Sequence, residues 1–175
     1  MGTEEKRSAF RTKEECSAFR LGKTGLRNRL PFDLNFLKTY IMTYDFELEM
    51  KVRDYECDLQ GIVNNANYQH YTEHTRHEFL RSEGVSFAEL HERGIDAVVA
   101  RMNLAFKTPL RSGDSFASRL ALRKEGIKYV FVQDIFRLPD NKPVLRSTVE
   151  AVCLINGRLS DCEELNAVFA KYFKD

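Results

Sequence analysis

The sequence predicts an α+β fold in which a curled antiparallel sheet of about five to six strands packs around one long helix. Three observations carry this prediction: strict period-2 alternation over residues 44–52, one long amphipathic pattern over 65–83, and a run of β-rich segments punctuated by turn residues from 98 to 160. With 175 residues, 43% hydrophobic and 30% charged, the chain suffices for one ordinary core and is short for two.

In the first strand Tyr44, Phe46, Leu48, Met50 and Val52 alternate with Asp45, Glu47, Glu49, Lys51 and Arg53, which gives one dry face and one wet face. Asp58-Leu59-Gln60-Gly61 is a turn, and the main helix runs from about Asn65 to Glu83, closed by Gly84. Tyr68, Tyr71, Thr72, Thr75, Phe79 and Leu80 form its burying stripe and leave Glu73, Arg76 and Arg81 for solvent. Ser86, with Glu89 three residues later, caps a short helix to Arg93 that Gly94 stops.

The rest is mostly strand. Val98 to Thr108 is rich in β-formers until Pro109 and the turn Arg111-Ser112-Gly113-Asp114 end it, and Phe116, Ser118, Leu120 and Leu122 restart the period of 2. Gly126 marks a hairpin into a nearly continuous apolar run from Tyr129 to Leu138, 139–143 form a loop, and a strand follows over 144–155. Asn156-Gly157 is the signal of a two-residue type I′ turn, which pairs a short strand 158–160 back before a terminal helix over 161–173.

Charge excludes one class of partner. Lys plus Arg number 27 and Asp plus Glu 26, so the chain lacks the basic excess that a nucleic-acid partner requires. Cysteines 16, 57, 153 and 162 form no C-x-x-C pair, and no apolar run approaches the roughly 20 residues of a membrane span. Reduced thiols and a cytoplasmic location are the expectation. Residues 1–41 carry a net charge of +4 and residues 42–175 one of −3, and the first segment keeps neither a period of 2 nor of 3.6. It reads as a poorly ordered N-terminal extension, either native or the product of an over-long gene model with Met42 as the natural start. Its acids Glu4, Glu5, Glu14 and Glu15 count against an organelle transit peptide, leaving 42–175 as the folded domain.

The stretch from Asp54 to Tyr68 joins the first strand to the main helix and holds the candidate chemistry. A helix start presents unpaired N–H groups and the positive end of a dipole, suited to polarising a carbonyl. A carboxylate such as Asp58 beside it can attack that carbonyl or activate water against it. The plainer alternative is that Asp58 caps its turn while Asn64 or Asn65 caps the helix.

The pattern V-R-D-Y-E-C-D-L-Q-G-I-V-N-N-A-N-Y-x-x-Y-x-E-x-x-R, residues 52–76, resembles the hot-dog-fold acyl-CoA thioesterases of the 4-hydroxybenzoyl-CoA thioesterase type, including their acyl-acyl-carrier-protein relatives. The likeness covers roughly residues 44–160, with Phe106-Lys107-Thr108-Pro109-Leu110-Arg111-Ser112-Gly113-Asp114 resembling the family's strand, proline and Gly-Asp turn. The resemblance implies a hot-dog sheet around the central helix, and a homodimer or tetramer whose sites lie between subunits. It also implies acyl-thioester hydrolysis without metal or other cofactor, on coenzyme A or carrier-protein thioesters. Asp58 is the implied nucleophile or general base. The helix-start amides from Asn64 to Ala66 are the implied oxyanion hole, and Gly61, Val63, Asn64, Ala66 and Tyr68 are the candidate substrate-binding residues of this segment. Many relatives have histidine where this chain has Asn65, and plant-type carrier-protein thioesterases have one where it has Ile62. Asp58 therefore lacks an imidazole partner, and the Asn65 amide can donate to the oxyanion or orient water instead. A dehydratase of this fold needs a histidine facing an acid, whereas an acyl-binding role without catalysis stays open.

Other residues compete for attention. His70, His74 and His77 share one helix face, but three ligands on a straight helix cannot close a tetrahedron, so a polar face and no metal is the expectation. A second branch of hot-dog thioesterases uses a glutamate inside the central helix, but Glu73 sits in a Y-x-E-x-x-R element that resembles the Asp-type branch, and a pair with Arg76 is its plainer role. Lys107 and Arg111, with Arg119, Arg123 and Lys124, are candidates for coenzyme A phosphates, against a solvated sheet face. Phe79, Leu80, Val98, Met102 and Phe131 are candidates for core or acyl channel. Cys57 points away from the Asp58 side by strand alternation.

Overall fold

The computed structural model describes residues 42–173, so the expected N-terminal extension over 1–41 lies outside the described residues. The strands are β1 (Phe46–Lys51), β2 (Ile95–Phe106), β3 (Ser115–Glu125), β4 (Lys128–Leu138), β5 (Lys142–Ile155) and β6 (Arg158–Ser160). The helices are α1 (Asn65–Ser82), α2 (Phe87–Glu92) and α3 (Glu163–Phe169), with single 3₁₀ turns at Asp54–Glu56 and Ala170–Tyr172. The sheet is antiparallel in the order β1-β3-β4-β5-β2, and β6 pairs with β5. This is the hot-dog arrangement, with α1 against the sheet.

Local chemistry accounts for the elements. Along β1 the side chains alternate between half-buried and exposed, as the period of 2 requires. Asn156 and Gly157 both take positive φ, 50° and 75°, the type I′ geometry that folds β6 back on β5. Ser86 Oγ accepts from the Glu89 N–H at 3.4 Å and caps α2. The sheet starts and ends earlier or later than the pattern suggests in two places. β2 begins at Ile95, and β5 takes in Lys142 and Pro143, the latter beside a register shift where a missing N–H is tolerated. The predicted terminal helix is shorter, ending at Phe169 before a 3₁₀ turn.

The stripe Tyr68, Tyr71, Thr72, Thr75, Phe79 and Leu80 is buried as read. Thr72 and Thr75 are fully buried, and the Thr75 hydroxyl lies 2.8 Å from both the Tyr71 carbonyl oxygen and the Ser118 hydroxyl of β3. These small residues let the middle of α1 approach the sheet closely. On one side of that contact Phe79 and Leu80 pack with Leu120, Leu122, Phe131, Val149 and Phe169, and on the other Tyr68 and Tyr71 pack with Leu110, Phe116, Ile135 and Leu145.

Arg76 corrects the reading that places it in solvent. It is 8% exposed, and its Nη1 donates to Gln133 Oε1 of β4 at 2.9 Å, while Gln133 Nε2 donates to the Thr72 carbonyl at 2.9 Å. Arg76 lies four residues after Thr72 and three before Phe79, so it falls on the buried face, and Gln133 supplies the acceptor that makes burial tolerable. Burial lowers its pKa from the ordinary arginine value.

Candidate active site

The connector from β1 to α1 is built of nested turns. After the 3₁₀ turn Asp54–Glu56, Cys57 and Val63 pair as an isolated antiparallel bridge that pinches off residues 58–62. Inside it the Asp58 N–H donates to the Ile62 carbonyl at 2.9 Å and the Gly61 N–H to the Asp58 carbonyl at 3.0 Å. The loop needs φ of +70° at position 61, which glycine adopts without strain. Asp58 is half-buried, and its Oδ1 accepts the Gln60 N–H at 2.8 Å. That is the turn-capping role of an Asx motif, and it leaves Oδ2 without a hydrogen bond among the described residues.

Asn64 is the N-cap of α1. Its side-chain Oδ1 accepts the Ala66 N–H at 3.0 Å, its carbonyl accepts the Asn67 N–H at 2.9 Å, and its own N–H donates to the Glu56 carbonyl at 2.9 Å. The three expected oxyanion donors therefore reduce to one. The amides of Asn64 and Ala66 are engaged within the cap, and among the described residues only Asn65, the first helical position, keeps a backbone N–H in this segment without a protein partner.

Asp58, Val63, Asn65, Tyr68 and Lys107 line one cleft of about 430 Å³, bounded across from the helix start by Phe106 and Pro109. Its lining holds no histidine. Tyr68 is held rather than free: its hydroxyl accepts the Leu110 N–H at 3.1 Å, its ring meets Phe106 edge-on at 5.5 Å, and burial raises its pKa. Gly61, Asn64, Ala66 and Arg111 do not line the cleft. Arg111 sits behind the loop, its Nη1 donating to the Gly61 carbonyl at 3.4 Å and its N–H to Asp114 Oδ2 at 2.9 Å.

A second cavity of about 300 Å³ lies between α1, α2 and the sheet. Of the residues read as core or channel, Leu80, Val98 and Phe131 line it, Leu80 and Phe131 being also part of the buried core, whereas Phe79 is fully buried and Met102 packs half-buried against the core. Glu73, Arg76 and His77 add polar groups to this lining. Glu73 faces His77 at 4.0 Å instead of the expected Arg76, whose guanidinium turns inward to Gln133. His74 faces Glu78 at 3.9 Å, so these two helix-face histidines are each opposite a carboxylate.

The model of the "Thioesterase-like superfamily" matches residues 52–170. The chain belongs to this thioesterase-like superfamily. Two Arabidopsis thaliana proteins, the chloroplastic acyl-acyl carrier protein thioesterases ATL2 and ATL3, are 42% and 40% identical to it over 113 and 111 residues. Each alignment takes 63% of this chain, and the chain spans only 59% and 58% of the length of those relatives. A crystal structure of a hypothetical protein from Aquifex aeolicus superposes with a TM-score of 0.66 at 29% identity, covering 70% of this chain and 98% of the other. The superfamily match begins at Val52 and so takes in the whole connector. Among the described residues, no helix of this family member is long and apolar enough to cross a membrane.

Reading by pattern missed two buried polar residues that hold α1 in place in this superfamily member. Glu56 is buried, with a carboxylate that accepts the Tyr71 hydroxyl at 2.7 Å, and the sequence marks it only as one acid among several in the connector. Gln133 had a visible signal, since it interrupts an otherwise apolar strand, and such a polar residue marks a buried hydrogen-bond partner.

Proposed function

We propose that this protein hydrolyses acyl thioesters, with Asp58 as the reactive carboxylate and the Asn65 N–H as the oxyanion donor. The observation that carries the reading is the sharing of one cleft by Asp58, with one free carboxylate oxygen, and Asn65, with the free first-turn amide. As general base, Asp58 takes a proton from water as the oxygen adds to the thioester carbon. The negative charge that develops on the carbonyl oxygen is met by the Asn65 N–H and the helix-start dipole. Collapse breaks the C–S bond, and the proton returns from Asp58 to the departing thiolate. As nucleophile, the same oxygen forms an acyl-aspartate anhydride with loss of thiolate, which water then cleaves. Lys107 at the mouth suits a phosphate of the carrier arm.

The site is proposed to be completed by a second copy. β2 is a 12-residue edge strand whose outer side has no partner among the described residues, and Val98, Val99 and Phe106 on it are exposed. Val98 borders the apolar cavity near one end of β2 and Phe106 the Asp58 cleft at the other. Antiparallel pairing of two β2 edges would set the apolar cavity of one copy beside the reactive cleft of its partner, giving an acyl group somewhere to lie.

Either coenzyme A or an acyl carrier protein can be the carrier, and the likeness to ATL2 and ATL3 favours the protein carrier as the second reading. Thiol release from a panel of acyl-CoA and acyl-carrier-protein substrates, with Asp58→Asn alongside, tests both. Turnover that falls about 10²- to 10⁴-fold in Asp58→Asn supports the reading. Tight binding with no turnover of either carrier would leave an acyl-binding role instead.

A further inference from the structure

We propose that Glu56 is the positioning residue of this site, holding Asp58 and the Asn65 N–H in register with one another; what it positions rests on the thioesterase reading above. Glu56 is 6% exposed and works at both its ends. Its Oε2 accepts the Tyr71 hydroxyl at 2.7 Å and the Arg53 N–H at 2.7 Å, and its Oε1 accepts Arg53 Nη1 at 3.2 Å. Its carbonyl oxygen accepts the Asn64 N–H at 2.9 Å and Asn67 Nδ2 at 2.7 Å. The side chain thus fixes the 3₁₀ turn to the second turn of α1, while the main chain fixes the same turn to the helix cap.

The consequence falls on the reactive groups. Asp58 is two residues beyond Glu56, so the turn that Glu56 anchors sets where the Asp58 loop leaves the helix. Drawing the Asn64 N–H onto Glu56 orients the N-cap, and the Asn64 side chain then consumes the Ala66 N–H, which leaves the N–H of Asn65, a residue that lines the cleft, without a protein partner among the described residues. Glu56 does not line that cleft; it borders a separate polar one with Tyr71, His70 and His74. It therefore acts through other residues and not on substrate. A carboxylate suits the place because three donors converge on it, the Tyr71 hydroxyl from the buried side and the Arg53 N–H and guanidinium from the exposed side, and a neutral amide would present an N–H₂ to one of them.

The test uses the full chain and two variants, Glu56→Gln and Tyr71→Phe, read by backbone amide exchange over residues 54–68 and by kcat and KM for thioester cleavage. Misplacement on the ångström scale lowers rates about 10²-fold. Glu56→Gln is expected to lower kcat about 10- to 100-fold with KM within about 2-fold, and to speed exchange over 54–68 while the sheet stays protected. Tyr71→Phe, which removes one donor and keeps the ring, should move both readouts the same way by less, and the double variant should lose less than the product of the two. If Glu56→Gln does not fold, Tyr71→Phe decides alone. Wild-type exchange together with wild-type kcat overturns the proposal, as does either change without the other. If the wild type cleaves no thioester, the functional reading fails, and unchanged exchange in the variants would separately overturn the lock.

Discussion

Asn65 occupies the first helical position, and that placement makes the N–H proposed as oxyanion donor separable from the side chain. Proline is well tolerated there, and Asn64 before it already has φ −60° and ψ 137°, the conformation that a following proline favours. Asn65→Pro is therefore expected to fold with near-native stability yet lose about 10²- to 10³-fold in kcat, because only the N–H is removed. Asn65→Ala keeps the donor, so its kcat should stay well above that of the proline variant in the same thiol-release measurement. Equal losses in the two would assign the effect to the amide side chain. Asp58 carries a different lesson at this scale. Capping its turn and supplying a reactive carboxylate are compatible, since Oδ1 serves the loop and Oδ2 is left over.

At the scale of elements, α1 does three jobs along its length. Its first turns line the Asp58 cleft through Asn65 and Tyr68, its middle lies close to the sheet through Thr72 and Thr75, and its last turns anchor the core through Phe79 and Leu80. Phe79 is fully buried and meets Phe46, Phe169 and Tyr172 at ring separations of 5.8, 5.9 and 5.2 Å. Phe79→Ala should cost about 3–5 kcal/mol in denaturant unfolding. Arg76→Met removes the guanidinium and leaves the Gln133 amide oxygen without its donor, so a loss of about 1–3 kcal/mol is expected. A loss near zero would mean that water satisfies Gln133.

At the scale of the molecule the β2 edge, unpaired among the described residues, is the decisive feature. A long, apolar edge strand invites pairing, and here it borders both cavities that the proposed chemistry uses. Val99→Lys places a charge on that edge, and sedimentation velocity is expected to show the proposed dimer of the wild type shifting to monomer, with thioester turnover falling in parallel. A variant that remains dimeric at micromolar concentration and keeps full turnover would place the interface elsewhere.

Local signals along the chain specify the type and order of the main elements, though not every boundary. Period-2 alternation in β1, the stripe of α1, the Asn-Gly turn and the helix caps are local signals, each written within a few residues, and the fold class follows from their order. The connector was legible for the same reason: Asp58, Asn64 and Asn65 are neighbours in the chain, and cap chemistry depends on short spacings. Tertiary structure alone decided which groups are free. That Asn64 and Ala66 spend their amides in the cap while Asn65 does not depends on the Glu56 carbonyl, and Glu56 is buried because Tyr71, fifteen residues on, reaches it. Arg76 was read as solvent-facing because charge usually marks the wet face, and only Gln133, 57 residues away, turns it inward. A hydrogen bond between distant segments leaves no period in the sequence, so its partners become visible only when the chain is folded.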